Sequence, residues 1–485
     1  MSKWNLHVDF KRLRTLLLFA AMSMAGAGLL VAGAGPPSQL RYVVIITRHG
    51  VRSPTWTSER LNQYSAEPWP EWSVPPGNLT PHGRALMKLL GAYYRQWLTG
   101  ERLLGQQGCE DAGRVYVYAD TEQRTLETGR ALAETLLPGC AVTVHSQSPG
   151  GKDSLFDPLE AGTTRPDWET AAQAVRERLA DPSGRFRDLD RGAFETLEFV
   201  LAGKRRAPEK QIEPPAEIGV SVAGRGIRLN EPWSVASTLS ENLLLEYVEG
   251  MQGKDLGWGR LDANTLFRVL ELHAVYADLM RRTPYLARLR GSNLLDHILR
   301  SMEQAATGKA VPGALDSPGN AVLIVSGHDT NLSNLSGMLG LSWHLPGYQP
   351  DDTPPGGALV FSLWRRPDSG EYSVRLQYIA QTLEQMRNAA PLTMAAPPAM
   401  EDVAVTGCES RTVNPGCSWD KFVKLIQKAI EPRTSRAEVR ATHLFPYGPS
   451  EPVGLFPCGD VADDFQGLQV YYRDVVFPAH GDKGA

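Results

Sequence analysis

The chain has no excess of positive charge. Its 50 lysines and arginines face 54 aspartates and glutamates, a formal net charge of -4 over 485 residues. The first 34 residues carry Lys3, Lys11, Arg12 and Arg14 against Asp9, a sum of +3 that leaves about -7 beyond them. Bulk charge of that sign excludes nucleic acid and anionic membranes as partners held by electrostatics alone. Affinity for an anionic ligand has to come from a local cluster of cations. Metal-ligand spacing is missing too. The ten histidines form no HxH or HExxH pair, so no zinc site and no cofactor is expected. Internal repeats and long low-complexity segments are absent. Past the N-terminus no segment is apolar for long enough to span a bilayer.

Cysteine is scarce, at five residues. Cys109 and Cys140 flank one compact segment, and Cys408 and Cys417 another. Each pair is close enough in sequence to close a modest loop, a bridge worth roughly 3 kcal/mol in the chain-entropy account. Cys458 is left over, free or intermolecular. These bridges fit export, which the N-terminus also suggests. A basic region ends at Arg14, a mostly apolar stretch runs over 16–31, and Ala32-Gly33-Ala34 offers a cleavage site. Residues 1–34 are expected to be a signal peptide, with an uncleaved anchor as the alternative. The mature chain is expected in the periplasm or secreted, without stable membrane association, as a monomer.

The remaining composition is ordinary: 42% hydrophobic and 21% charged, enough for a large core and more than one domain. After Gly35-Pro36-Pro37 the pattern alternates. Apolar runs at 43–46, 115–119, 141–145, 322–325, 358–364 and 372–379 predict strands. Helical spacing marks 82–98, 122–137 and 331–341. The alternation predicts an α/β fold, a central mainly parallel sheet sandwiched by helices. Residues 166–279 break it. They hold helical stretches such as 170–180 and 241–250 and no convincing strand, so a second, smaller all-α domain is expected there, with a linker-like segment at 204–215. The α/β domain then comprises 40–165 plus 280–430, and 431–485 is an irregular tail.

Chemistry concentrates just past three of the apolar runs. Arg48, His49 and Arg52 follow the first. Asp120 and Arg124 follow the second. His328 and Asp329 follow the run at 322–325. Ligands bind beyond the carboxyl ends of strands in an open parallel sheet. The fold alone would therefore gather these residues in one cleft. Three fixed guanidiniums can neutralise the oxygens of a phosphate monoester. His49 can attack phosphorus as a nucleophile, His328 can donate to another oxygen, and Asp329 can protonate the leaving alkoxide. In isolation each has a plainer explanation: Arg124 and Glu241 would be solvated helix residues, and His328-Asp329 a loop cap. Their joint occurrence points to a site.

The string Arg48-His49-Gly50-Val51-Arg52-Ser53-Pro54-Thr55 resembles the signature of the histidine acid phosphatases, within them the bacterial periplasmic phytases. Residues 119–125, 155–159, 257–260, 352–357 and 407–409 also look like family segments. The likeness covers about 40 to 430. It implies an α/β domain beside a helical one, with the active site between them and small-molecule phosphate monoesters as substrate. His49 would be the nucleophile and Asp329 the proton donor. Arg48, Arg52, Arg124 and His328 would bind phosphate, and Thr55, Asp120, Glu241 and Arg290 would line the pocket. The two cysteine pairs match two family bridges. One departure bears on substrate. The phytase motif continues with lysine where Trp56 stands here, which removes a cation from the pocket. The expected activity is an exported acid phosphatase that includes phytate. The alternatives are a narrower sugar-phosphate phosphatase, a mutase-like enzyme, or a non-catalytic phosphate binder.

Overall fold

The computed structural model describes residues 37–106, 109–148, 151–181, 191–203, 210, 212, 218–224, 226–408 and 416–430. The expected signal peptide, most of the linker-like segment, the tail and Cys458 lie outside the described residues. The principal strands are β1 (Gln39–Arg48), β2 (Val115–Ala119) and β3 (Val144–His145). A small hairpin, β4 (Val220–Val222) and β5 (Ile227–Leu229), stands apart from them. β6 (Val322–Gly327), β7 (Ala358–Arg365), β8 (Tyr372–Ala380), β9 (Ala399–Asp402) and β10 (Cys417–Ser418) complete the set.

β1 is central because its sequence can be buried on both faces. Val43, Val44, Ile45 and Ile46 are all at most 1% exposed. Successive side chains point to opposite sides of a strand, so such a run needs a core on each. The sheet order is β10-β8-β7-β1-β6-β2-β3, with β9 on β8. β1, β6, β2 and β3 run parallel, Val43 opposite Val322 and Val115 opposite Val322. β7 and its neighbours extend the other edge antiparallel.

Helices cover both faces. On one side α1 (Pro81–Gly100) and α2 (Gln123–Leu136) pack Leu90, Tyr94, Leu132 and Leu136 against Val43, Ile45, Val117 and Ile324. Thr80 caps α1 by accepting the Gly83 N–H at 2.8 Å, and Pro81 supplies the fixed φ that suits a first turn. Residues 166–279 carry α3 (Trp168–Ala180), α4 (Arg191–Ala202), α5 (Glu231–Val248) and most of α6 (Ala263–Arg281). α7 (Pro284–Thr307), α8 (Asp329–Leu339) and α9 (Trp419–Ile430) follow. Leu295, Ile298, Leu332 and Leu335 of α7 and α8 meet Val44, Ile46, Leu323 and Val325 on the second face. The disulfides Cys109–Cys140 and Cys408–Cys417 close loops of 31 and 9 residues, the pairing expected from spacing.

The stretch 166–279 differs from the sequence expectation in two respects. The hairpin β4–β5 lies inside the stretch read as purely helical; three residues per strand are too few for a period to show. α5 begins at Glu231, ten residues before the expected start. It is buried on every side from Trp233 to Val248 save Ser234 and Thr238, so no polar stripe marks its phase.

α5 also carries a carboxyl held out of water. Burial pushes Glu246 up to about 8, although it accepts the Gly257 N–H at 2.9 Å. The folded value exceeds the ordinary 4.5. The folded state thus holds this proton more tightly than the unfolded one. Its contribution is complete below about pH 4.5 and is lost as pH rises through about 8. By pH 7 that loss is on the order of 3 kcal/mol. Glu246→Gln keeps an acceptor for Gly257 and cannot ionise. Thermal unfolding is expected to show the variant several degrees more stable than wild type at pH 7 and no more stable at pH 4.5. An equal shift at both pH values would reject the ionisation argument.

Candidate active site

Backbone hydrogen bonds tie three strand ends together. The His49 N–H donates to the Gly327 carbonyl at 2.9 Å, and the Asp120 N–H donates to the Ser326 carbonyl at 3.0 Å. The β1–β6 register sets Arg48 opposite Gly327. The His49 and His328 rings, far apart in sequence, lie 5.6 Å apart edge to face. Two glycines let neighbouring side chains pack closely behind these strand ends. A Cβ on Gly50 would sit 2.8 Å from Met87 Cγ, and one on Gly327 2.8 Å from the Phe156 ring.

His49 is buried, and its Nδ1 lies 2.8 Å from the Gly50 carbonyl oxygen. A carbonyl only accepts, so Nδ1 carries the proton and Nε2 keeps its lone pair. Burial, then the charges of Arg124, Arg48 and Arg52, hold this imidazole well below its ordinary range. It therefore stays neutral in acid, with Nε2 free to attack.

The arginines are fixed from behind. Arg48 donates through Nη1 to the Thr353 carbonyl at 2.6 Å, and its Nη2 pairs with Glu241. Arg52 Nη2 lies 3.4 Å from the same Glu241 oxygen, and its Nη1 donates to the Ser53 carbonyl at 2.9 Å. Burial alone would raise the Glu241 carboxyl, but the two arginines outweigh it and hold it at about 2. Glu241 thus enters the site as their counterion and stays charged throughout the acid range. Arg124 Nη2 lies 3.5 Å from His328 Nδ1, and its Nε is buried without a partner, as is that of Arg48.

His328 caps α8 and donates through Nε2 to Asp120 at 2.7 Å, with Glu122 at 3.2 Å. Burial lowers its pKa, yet the bonds to Asp120 and Glu122 prevail and raise it. A protonated His328 then faces Arg124, a repulsion that an anion between the two relieves. Asp329 opens α8, accepts the Thr330 N–H at 2.8 Å and pairs with Arg281 Nη1 at 2.5 Å. Burial would push its carboxyl up. Arg281, Arg48 and His273 together hold it well below the usual range instead.

The other expected residues are less central. Thr55 is exposed; its methyl and the Arg124 guanidinium flank Gly77, 3.6 and 3.7 Å from where a Cβ would stand. Arg290 donates to the Met280 carbonyl at 3.1 Å, and its charged surroundings are Asp157 and Arg281 rather than the strand ends. Three contributors were missed. Glu122 lay within a recognisable segment. Arg281 and His273 sit singly on a helix and carry no sequence signal. Two triads offer metal-type ligands, Asp120-Glu122-His328 and Glu241-His273-Asp329, each with donor atoms within 4.8 Å. Cations already occupy them: His328 in the first, Arg48 and Arg281 in the second. The carboxylates of both triads are thus already balanced by cationic groups of this chain.

The site thus gathers an imidazole with a free Nε2, three guanidiniums, a second imidazole that two carboxylates favour in its charged form, and the Asp329 carboxyl. Such an arrangement can bind a phosphoryl group, accept it and protonate what leaves. Comparison with known proteins agrees. The phytase AppA of Escherichia coli is 38% identical over 426 residues, 83% of this chain and 95% of that one. A glucose-1-phosphatase of Providencia rettgeri is 26% identical, covering 81% and 92%. The Hafnia alvei phytase solved in complex with myo-inositol hexakis sulphate superimposes with a TM-score of 0.73 at 34% identity, over 82% of this chain and 99% of that one. The model of the histidine phosphatase superfamily, branch 2, matches residues 39–378, and the chain belongs to that family.

Proposed function

We propose that the protein is an acid phosphatase that hydrolyses phosphate monoesters, phytate among them, through a phosphohistidine on His49. The observation that carries this is the His49 tautomer. Its free Nε2 lies in the field of Arg124, Arg48 and Arg52, and burial together with those charges keeps it unprotonated. In the first half-reaction Nε2 attacks phosphorus while Asp329 protonates the departing oxygen. In the second, Asp329 takes a proton from water, which attacks the phosphohistidine. Arg48, Arg52, Arg124 and His328 hold the phosphoryl oxygens, and Asp120 orients His328. Export belongs to the same proposal, supported by the 1–34 pattern and two disulfides, and a monomeric state is proposed with it. Among the described residues no helix is long and apolar enough to cross a membrane. The helical stretch 166–279 is proposed as a separate domain beside the α/β one, the site between them.

Phytate is favoured by the relatives that carry that name, one of them solved with a hexasulfated inositol. Trp56 favours the narrower sugar-phosphate alternative. Its ring is not bare, however: the Arg60 guanidinium stacks over it at 3.6 Å. Phosphate release at acid pH from phytate, glucose 1-phosphate and p-nitrophenyl phosphate tests the proposal. All three are expected to react. Release from glucose 1-phosphate with none from phytate rejects phytate as a substrate. Trp56→Lys is expected to lower the phytate KM several-fold with kcat little changed, since a cation at a partly exposed site is worth on the order of 1 kcal/mol. An unchanged KM would show that the stacked Arg60 already supplies that charge.

A further inference from the structure

The carboxyl assigned to protonate the leaving group is ionised in this structure, paired with Arg281 and within the field of Arg48. A general acid needs a proton before the bond breaks. Something beside Asp329 has to hold it.

His273, on α6, has the required placement. The side chain is buried, 3% exposed. Its Nδ1 lies 3.1 Å from the Ser237 hydroxyl and 3.3 Å from the Ser237 carbonyl, both on α5. Its Nε2 is buried with no hydrogen-bond partner. One ring nitrogen, a Glu241 oxygen and an Asp329 oxygen all lie within 4.8 Å of one another. With Nδ1 engaged by Ser237, Nε2 is the nitrogen left for them. The surroundings come from every packed element. Glu241 faces it from α5, Asp329 from α8 and Asp352 from the loop before β7. Arg281 on α6 and Arg48 on β1 reach the same carboxylates. Glu241 pairs with both Arg48 and Arg52, whereas Asp329 pairs with the single guanidinium of Arg281, which makes Asp329 the freer of the two to exchange a proton. An unpaired buried imidazole nitrogen is costly unless used.

We infer that His273 holds, on Nε2, the proton that Asp329 delivers to the leaving group. This rests on Asp329 being the general acid. When a dianionic ester enters the ring of arginines, its charge opposes that of Asp329, and the proton passes from Nε2 to the carboxylate. Asp329 then gives it to the ester oxygen as the P–O bond breaks and the N–P bond forms on His49. In the second half-reaction water surrenders a proton to Asp329, its oxygen bonds to phosphorus, and the N–P bond breaks. The proton returns to Nε2, and the cycle closes with nothing added but water. His273 touches no substrate; it is a positioning residue that acts through Asp329.

His273→Asn keeps an N–H for Ser237 and lacks Nε2, and His273→Gln places a non-titrating amide near it. With glycerol 2-phosphate, a poor leaving group, kcat is expected to fall about 10- to 100-fold, less than the roughly 10²- to 10⁴-fold of losing the general acid itself, because Asp329 can still take a proton from solvent. With p-nitrophenyl phosphate it should stay within about twofold, which also shows that the variants fold. The basic limb of the kcat profile on glycerol 2-phosphate should move to lower pH, because Asp329 then takes its proton from solvent. Parallel losses on both substrates, or an unmoved limb, overturn the inference. Asp329→Asn is run beside them. If it shows no dependence on leaving group, the role of Asp329 itself fails. If it does and the His273 variants do not, the inference alone fails. Should neither variant fold, histidine-labelled wild-type enzyme gives the answer by NMR, and a His273 Nε2 whose protonation is constant across the limb overturns the inference.

Discussion

His49→Ala is expected to abolish turnover and covalent labelling together. Wild-type enzyme quenched during hydrolysis of a labelled ester should carry phosphate on the peptide containing His49, stable to base and labile to acid. The variant should carry none. The loss in kcat should be on the order of 10⁵-fold or more, as for other nucleophiles whose removal leaves only binding and electrostatics. The other charged groups at the strand ends are poor substitutes. His328 is the other imidazole at the strand ends, and its Nε2 is taken up by Asp120 and Glu122. Arg48, Arg52 and Arg124 cannot act as nucleophiles because they never lose their charge. Label recovered on a serine or aspartate would falsify the assignment.

The second large effect separates the two halves of the chemistry. Asp329→Asn preserves shape and the contact with the Thr330 N–H but cannot donate a carboxyl proton. With an alkyl phosphate the departing alkoxide is strongly basic, and kcat should fall by about 10²- to 10⁴-fold. Nitrophenolate leaves without help, so p-nitrophenyl phosphate should lose far less, only what the missing base costs when water attacks the phosphohistidine. The pH dependence has a sign. His49 is held well below its ordinary range and stays unprotonated in acid, so it does not cut activity off there. Asp329 must gain a proton, which becomes harder as pH rises. Activity on alkyl phosphates should therefore fall towards neutral pH along a limb that Asp329→Asn removes. Equal losses on both substrates would count against the role.

Much of this was legible in the sequence, for physical reasons. Val115–Ala119 was found at its observed bounds because a short apolar run between turn residues has one interpretation in an alternating chain. Arg48, His49, Arg52, Asp120, Arg124, His328 and Asp329 were expected in one cleft, and hydrogen bonds between strand ends bring them there. Strands β9 and β10, of four and two residues, were not seen, since they exist through pairing with β8 rather than through any pattern of their own. Glu241 taken singly looks like a solvated helix residue. Its burial is decided by two arginines nearly 200 positions away, which no local window contains. Arg281 and His273 are invisible for the same reason: their importance lies in what α8 sets against α6.

The place of β1 at the centre of the sheet has a consequence for how the chain acquires its structure. Both of its neighbours, β6 and β7, begin nearly 280 or more residues downstream. The run Val43–Ile46 must therefore wait, apolar and unpaired, until most of the polypeptide has been made. Local partners can form early: α1 with α2, and α2 with β2. The sheet can close only through contacts of very long sequence separation, whose loop-closure entropy has to be met before they return anything. The expected pathway is slow, with a compact intermediate that exposes a strand able to pair with another chain. Because His49 sits at the end of that strand, enzymatic activity should be the last property to appear on refolding and should report closure of the sheet centre.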